Sequence, residues 1–413
     1  MFRGIENGLK FSRSPLRFLE ESQAVHGDYH VTRLGLHTVH LIFDPVIARA
    51  VLSDPLRFIK TRFVYDKIKP ITGELGLVQI EGEQGLILRA AFNEFFKPAA
   101  IDSYLARAEQ IVGTAIPEFE GVHDVRDMLT ELVLQTSVSM FAGVTREADL
   151  TMLSKTFLQL NDLCAKQFKN LFPIPHPLRG FKIKQVQSAL DRAIGELIGN
   201  TAQRDCLIGF IRASEATIPM KVTDAFLRDQ LKTFIFAGHE TTATYLIMAI
   251  YELARNSELQ EMVYRECISQ DNDRKSTQRF LKEILRLYSP AWMIVRESVG
   301  NGEFEGRAYR KGDFFILGVH QMHRHVAHWQ CPEQISLSHH EKANPAFMPY
   351  GHGRRHCIGS RLADLELQMI LSMILKRYRL EYRGPASPVR SRVMITAYPA
   401  DPVQVEFIRR TEQ

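Results

Sequence analysis

The sequence predicts a mainly α-helical protein with small β-sheets, an α+β fold, and three observations carry that prediction. Apolar residues recur at helical spacing in one long segment after another, over 104–116, 125–141, 150–168, 183–198, 221–255 and 275–288. Strand-like alternation is confined to short stretches near the two ends of the chain. No Gly/Ser run, low-complexity tract or repeat period separates these segments, so residues 1–413 read as one domain, long enough to bury a large core.

Composition narrows the function. A net charge of +5 is small for 413 residues and does not by itself point to nucleic acid. The five cysteines, Cys164, Cys206, Cys267, Cys331 and Cys357, are scattered and never in Cys-x-x-Cys spacing. That pattern fits a reducing compartment and argues against a disulfide framework or a zinc site. The first residues hold no apolar run long enough for a signal or a membrane anchor, so the chain reads as soluble.

In chain order, a short helix is expected from Pro15 to Val25, then strands at 29–34 and 38–43 around Gly35, and a helix opened by Asp44 and Pro45. Residues 61–80 mix Pro70, Gly73 and Gly76 with Phe63, Tyr65 and Ile68 and read as a long loop with apolar content. A helix with an acidic first turn follows over 81–96. Beyond the helices of the middle region, Pro173, Pro175 and Pro177 form a stiff elbow. Strands finish the chain at 292–299, 379–384, 392–398 and 404–409, and the tip at 394–396 is a candidate pocket wall.

Residues 221–255 carry the longest helical pattern, and its centre is a fault: Ala237, Gly238, His239, Glu240, Thr241, Thr242. A mid-helix glycine costs about 1 kcal/mol, and a local fault in an otherwise strong helix marks a functional site. The small pair Ala237 and Gly238 lets a flat cofactor lie close to the backbone. A threonine hydroxyl bonding back to a carbonyl opens the turn, and an acid beside an alcohol can pass protons inward. The plainer reading is a core helix bent by threonines.

Near the C-terminal end, Gly351, Gly353, Arg354, Arg355, Cys357, Gly359 and Arg361 precede a helix running through Leu362, Leu365 and Met369. Gly351 and Gly353 permit positive φ and close backbone approach to a flat ligand, and Gly359 clears the next turn. A helix N-terminus and neighbouring arginines should depress the Cys357 thiol pKa, giving a thiolate suited to a metal. A buried structural cysteine in a glycine-rich turn is the alternative.

This loop resembles the haem-binding loop of the cytochromes P450, a Phe-x-x-Gly-x-Arg-x-Cys-x-Gly pattern. Tyr350, Gly353, Arg355, Cys357 and Gly359 stand at its positions, with tyrosine in place of phenylalanine. The 237–242 stretch is similar to the family's Ala-Gly-x-Asp/Glu-Thr-Thr signature, and Glu283 with Arg286 to its Glu-x-x-Arg pair. The resemblance covers nearly the whole chain. It implies the P450 fold, with haem b between the long helix and the cysteine loop, and Cys357 as the iron ligand. Glu240 and Thr241 would deliver protons to bound dioxygen, with Arg89, Arg296 and Arg355 as propionate partners. Gly85 stands where the family carries Trp or His, and His339 is aligned with the third member of the Glu283–Arg286 triad. Histidines His323, His325 and His328 lack metal spacing and are expected to be structural.

The implied activity is a monooxygenase that hydroxylates or epoxidises a lipophilic small molecule, such as a terpenoid, fatty acid or aromatic natural product, in secondary metabolism. Its pocket would draw on Phe63, Phe168, Phe234, Trp292 and Met293. Electrons would come from a ferredoxin or flavodoxin-type donor with its reductase, docking near Arg354, in a cytoplasmic protein of the bacterial type. Two other readings stay open: peroxide-driven or coupling and isomerisation chemistry on the same haem-thiolate, and a non-catalytic haem sensor or carrier.

Overall fold

The computed structural model describes residues 2–168, 177–200, 206–269, 274–304 and 306–411. Its first third holds helices α1 (Phe2–Arg13) and α2 (Pro15–His26), strands β1 (Tyr29–Leu34) and β2 (His37–Ile42), helix α3 (Pro45–Ser53) and the short β3 (Phe58–Ile59). Helices α4 (Gly82–Asn93), α5 (Pro98–Ala115), α6 (Val125–Ala142), α7 (Glu147–Phe168), α8 (Pro177–Asn200) and α9 (Leu207–Ala213) follow, with β4 (Gly121–Asp124) before α6. Then come α10 (Asp224–Arg255), α11 (Ser257–Ile268), α12 (Lys275–Leu287), β5 (Ile294–Ser298) and β6 (Phe314–Leu317). Helix α13 (Ser360–Arg377) and strands β7 (Tyr378–Tyr382), β8 (Ser391–Val393), β9 (Ala397–Pro399) and β10 (Gln404–Arg409) complete the chain.

One five-stranded sheet has the order β1-β2-β6-β5-β3, with β2 and β6 parallel and its other neighbours antiparallel. A second sheet has the order β4-β10-β7, and β8 pairs with β9 as a hairpin. The mainly α architecture with small sheets is the one the periodicity implies. Sequence reasoning did not find α1, α9, α11, β3, β4 or β6.

The long α10 positions the site. Thr223 caps it by accepting from the Phe226 amide at 3.2 Å, and Asp224 and Arg255 place charges that complement its dipole. Its N-terminal half, with Leu227, Leu231 and Phe234, packs into one apolar cluster. The C-terminal half, with Leu246, Ile250 and Leu253, packs into another. Residues 237–242 lie between the two. The helix nevertheless runs unbroken through them. Burial on both flanks, at about 1.5–3 kcal/mol per large apolar side chain, outweighs the local cost of Gly238.

Residues 61–80 are not a structureless loop. They form short helical turns at Arg62–Tyr65, Asp66–Ile68 and Lys69–Thr72. Polar side chains from α10 hold them: Leu75 N donates to Asp229 at 3.0 Å, Leu77 N to Gln230 at 2.9 Å, and Thr233 donates to Thr72 O at 3.0 Å. Asp229, Gln230 and Thr233 are themselves buried. The predicted proline elbow lies largely outside the described residues. Pro177, its last proline, begins α8.

Candidate active site

The centre of α10 faces the Cys357 loop across a cavity of about 480 Å³. Phe234, Ala237, Gly238, Glu240 and Thr241 form one wall and Gly351, Cys357 and Gly359 another, with Met293 and Ile294 after α12 and Met394 to Thr396 at the β8–β9 tip. The tip is therefore the pocket wall expected of it. Phe63 and Trp292 instead line a smaller adjoining cavity of about 120 Å³ that shares Val64, Met293, Val295 and Met394 with the first. The Phe168 side chain lies outside what the structure describes.

The cysteine loop is held by a hydrogen bond from Cys357 N to Tyr350 O at 2.9 Å, and α13 begins at Ser360 with Gly359 as its cap residue. Gly351 and Gly353 both have positive φ, 72° and 71°. Only Gly351 borders the cavity. A Cβ on Gly353 would lie 2.6 Å from Leu52 O, so this glycine lets the loop pack on the end of α3.

Cys357 corrects the expected thiol chemistry. Its side chain is open to the cavity but enclosed by protein otherwise, and burial pushes the thiol above its ordinary value, against the Gly359 amide and Arg89, which act to lower it. Helix-end and arginine effects thus do not by themselves make a free thiolate. A bound cation would be the additional stabiliser.

On the opposite wall, the Thr241 hydroxyl donates to Ala237 O at 2.9 Å, the back-bond that the sequence suggested. Ala237 is exposed although residues 231–236 before it are buried, because its side chain opens on the cavity. A Cβ on Gly238 would meet Phe141 at 3.1 Å, so the glycine serves helix packing with α6 as well as the cavity wall. The Glu240 carboxyl is pushed up by burial, partly offset by the nearby Thr396 and Asn161 side chains.

A haem needs an open sulfur, a flat apolar slot and cations for its propionates, and the residues present fit all three. Arg296 is 6% exposed, borders the cavity, and donates only to its neighbour's carbonyl, Val295 O, at 2.9 Å; among the described residues no carboxylate pairs with it. Arg355 also borders the cavity, where among the described residues its carboxylate partner is Glu81. A buried guanidinium without an anion is costly, and an entering carboxylate relieves it. Arg89 stands apart from this set: it donates to His356 O behind the cysteine and does not border the cavity.

The bracing residues behind the loop come together. Arg286 grips the two oxygens of Glu283 at 2.9 and 2.8 Å, both side chains fully buried. His339 Nδ1 lies 3.2 Å from Glu283 as aligned, and His340 Nε2 comes closer, to 2.8 Å, though poorly angled for a hydrogen bond. His323 is structural, as expected: Met348 N donates to Nε2 at 3.0 Å, which leaves Nδ1 to donate to the Ser289 hydroxyl at 2.8 Å. The hydroxyl of Tyr350 donates to Asp364 at 2.5 Å.

Several residues escaped sequence reasoning. Asp364 and the fully buried Glu366, which borders the cavity and accepts from Thr136 at 2.7 Å, lie on α13 four and six residues beyond its start. Acids inside an apolar helical stretch were the signal available. Asn161 and Lys60 gave none, since each sits alone among unremarkable neighbours in sequence.

The model of the family described as Cytochrome P450 matches residues 5–407. The chain is 26% identical over 396 residues to a cyclooctat-9-en-7-ol 5-monooxygenase of Streptomyces melanosporofaciens, covering 89% of this chain and 85% of that protein. It is 25% identical over 434 residues to a pentalenene oxygenase of Streptomyces avermitilis, covering 97% and 94%. The solved structure of retinoic acid bound cyanobacterial CYP120A1 superposes with a TM-score of 0.85 over 98% of this chain and 96% of that one, at 20% identity, a likeness of fold.

Proposed function

Because the chain belongs to the cytochrome P450 family, we propose that this monooxygenase hydroxylates or epoxidises a terpenoid or similarly lipophilic molecule of secondary metabolism, using haem b held by Cys357. The single observation that carries the reading is one apolar cavity in which the Cys357 sulfur faces Glu240 and Thr241, with Arg296 and Arg355 at its edge. Two relatives are named as a cyclooctat-9-en-7-ol 5-monooxygenase and a pentalenene oxygenase, which favours terpenoids within the lipophilic class.

Bound haem supplies dioxygen activation, driven by electrons and protons and favoured by the electron density of a thiolate ligand. The chain supplies the rest. Cys357 donates its sulfur, and the turn between Tyr350 and Gly359 fixes its place. Arg296 and Arg355 orient the cofactor through its carboxylates. Phe234, Met293, Ile294 and Met394 shed water around the substrate and hold it by apolar contact. Glu240 holds a proton in a buried site, and Thr241, anchored on Ala237 O, presents an oxygen through which that proton reaches the cavity.

Electrons come from a separate donor of ferredoxin or flavodoxin type with its reductase, and exposed basic residues on the cysteine side, such as Arg354, suit an acidic partner. Residues 1–413 act as one catalytic domain in this reading. Among the described residues no helix is long and apolar enough to cross a membrane, and five free cysteines suit the reducing cytoplasm. The test is the ferrous–CO spectrum of the haem-loaded protein. A red-shifted Soret band is expected for thiolate ligation, and a histidine-type band removes Cys357 as the ligand.

A further inference from the structure

Three elements meet at the Glu240 carboxyl: α10, which carries it; α7, which brings Asn161; and the β8–β9 tip, which brings Thr396. Both side chains act on the carboxyl as hydrogen-bonding neighbours, and both ease its charge against a larger penalty of burial. Even so, Glu240 Oε2, Asn161 Oδ1 and Thr396 Oγ1 are all buried without an aligned hydrogen bond. The proximity and the missing alignment are compatible, because contact needs only distance while a hydrogen bond also needs a proton pointing the right way.

Three orphaned polar atoms in one buried cluster are costly, and none is exposed to water that could satisfy it. Donor and acceptor inventory offers the carboxyl partners in either protonation state. An ionised Glu240 offers only acceptors, which suit the Thr396 O–H and the Asn161 N–H. A protonated Glu240 donates its O–H to Asn161 Oδ1 and accepts the Thr396 O–H on its other oxygen, and all three groups are paired. When the proton leaves for Thr241, the carboxylate keeps the Thr396 bond, and the Asn161 amide can turn to donate its N–H. The cluster thus has partners for the acid before and after it gives up its proton.

We propose that Asn161 and Thr396 are positioning residues for Glu240, holding its carboxyl between α7 and the β8–β9 tip for the relay to Thr241. Neither residue belongs to the signature that identified Glu240 and Thr241. The proposal rests on the monooxygenase reading of the site and adds a dependence of proton delivery on α7 and on the β8–β9 tip, the second of which borders the cavity.

The test uses ferric, haem-loaded protein as wild type and as Glu240→Gln, Asn161→Leu, Thr396→Val and Thr396→Ser. An infrared difference spectrum against Glu240→Gln isolates the C=O stretch of the protonated carboxyl. That band is expected in the wild type, moves to higher frequency in Asn161→Leu and in Thr396→Val as a hydrogen bond is lost, and returns in Thr396→Ser. Amide hydrogen exchange at 394–396 should quicken about fivefold in Asn161→Leu and Thr396→Val, the effect of losing one net hydrogen bond. Absence of the band in the wild type, a band unmoved in both variants, or a Thr396→Ser protein that behaves as Thr396→Val overturns the proposal. The ferrous–CO spectrum of the wild type fails independently: a histidine-type band there refutes the haem-thiolate reading, whatever the carboxyl band does.

Discussion

Replacing Glu283 with glutamine tests the support behind the cysteine loop. Glu283 and Arg286 are fully buried and joined by two hydrogen bonds at 2.9 and 2.8 Å, and Ser336 N donates to the same carboxylate at 3.1 Å. Burial alone would raise the carboxyl, but His340, Arg286 and the Ser336 amide outweigh it and hold the acid down to about 2, against an ordinary 4.5. At about 1.4 kcal/mol per pKa unit, that depression is worth about 3 kcal/mol. Removing one partner of a buried pair costs about 3–5 kcal/mol by a separate route, because the remaining charge is left uncompensated. The two figures meet near 3 kcal/mol. Since the folded value lies below the unfolded one, this stability is fully present above about pH 4.5 and is lost as pH falls toward 2. Urea unfolding of wild type and Glu283→Gln across that range is the assay. The gap should be about 3 kcal/mol near neutrality and close on acidification. A neutral-pH gap below about 1 kcal/mol, or one insensitive to acid, refutes the reasoning.

Tyr350→Phe removes the donor to Asp364 and should cost about 1–3 kcal/mol at neutral pH. Burial raises the Asp364 carboxyl, so the penalty on its charged form should shrink on acidification, as urea unfolding at two pH values will show. Gly85→Ala puts a Cβ 2.6 Å from Ile80 O and should destabilise by about 1–3 kcal/mol, readable from the denaturation midpoint. Thr241→Ala should retain the haem spectrum and substrate-induced shifts while diverting reducing equivalents to peroxide; unchanged coupling would remove Thr241 from the relay.

What the sequence made legible was whatever is local or periodic. Helical spacing located α10 and α12, and short chemical signatures located the cysteine loop and the 237–242 stretch. Long-range polar contacts were not legible, because nothing in Asp229, Gln230 or Thr233 says that they anchor residues 72–77. Nor does anything in Asn161 say that it meets Glu240. Even the alignment of the triad stopped short of the structure, since two adjacent histidines reach Glu283, His339 with a hydrogen bond and His340 closer but poorly angled. The thiol expectation failed for a related reason. Charges near Cys357 could be counted in the sequence, but burial, the larger effect, is a property of the assembled cavity.

Gly85 shows how a departure from a family pattern becomes a local necessity. A side chain there meets backbone, because Ile80 O would lie 2.6 Å from its Cβ. That carbonyl is held in turn by Lys60, whose ammonium also bonds Val78 O and pairs with Glu81 at 3.1 Å. Glu81 is shared with Arg355. Lys60 is pushed down to about 8, first by burial and then by Arg355 and Arg296, with Glu81 opposing. Two cations, Lys60 and Arg355, therefore share one carboxylate, while Arg296, near enough to lower Lys60, pairs with no carboxylate among the described residues. The imbalance is close to two positive charges, the charge that a pair of propionates neutralises. In the proposed reading a side chain at residue 85 would then not be needed to hold the cofactor, since Arg296 and Arg355 already border the cavity.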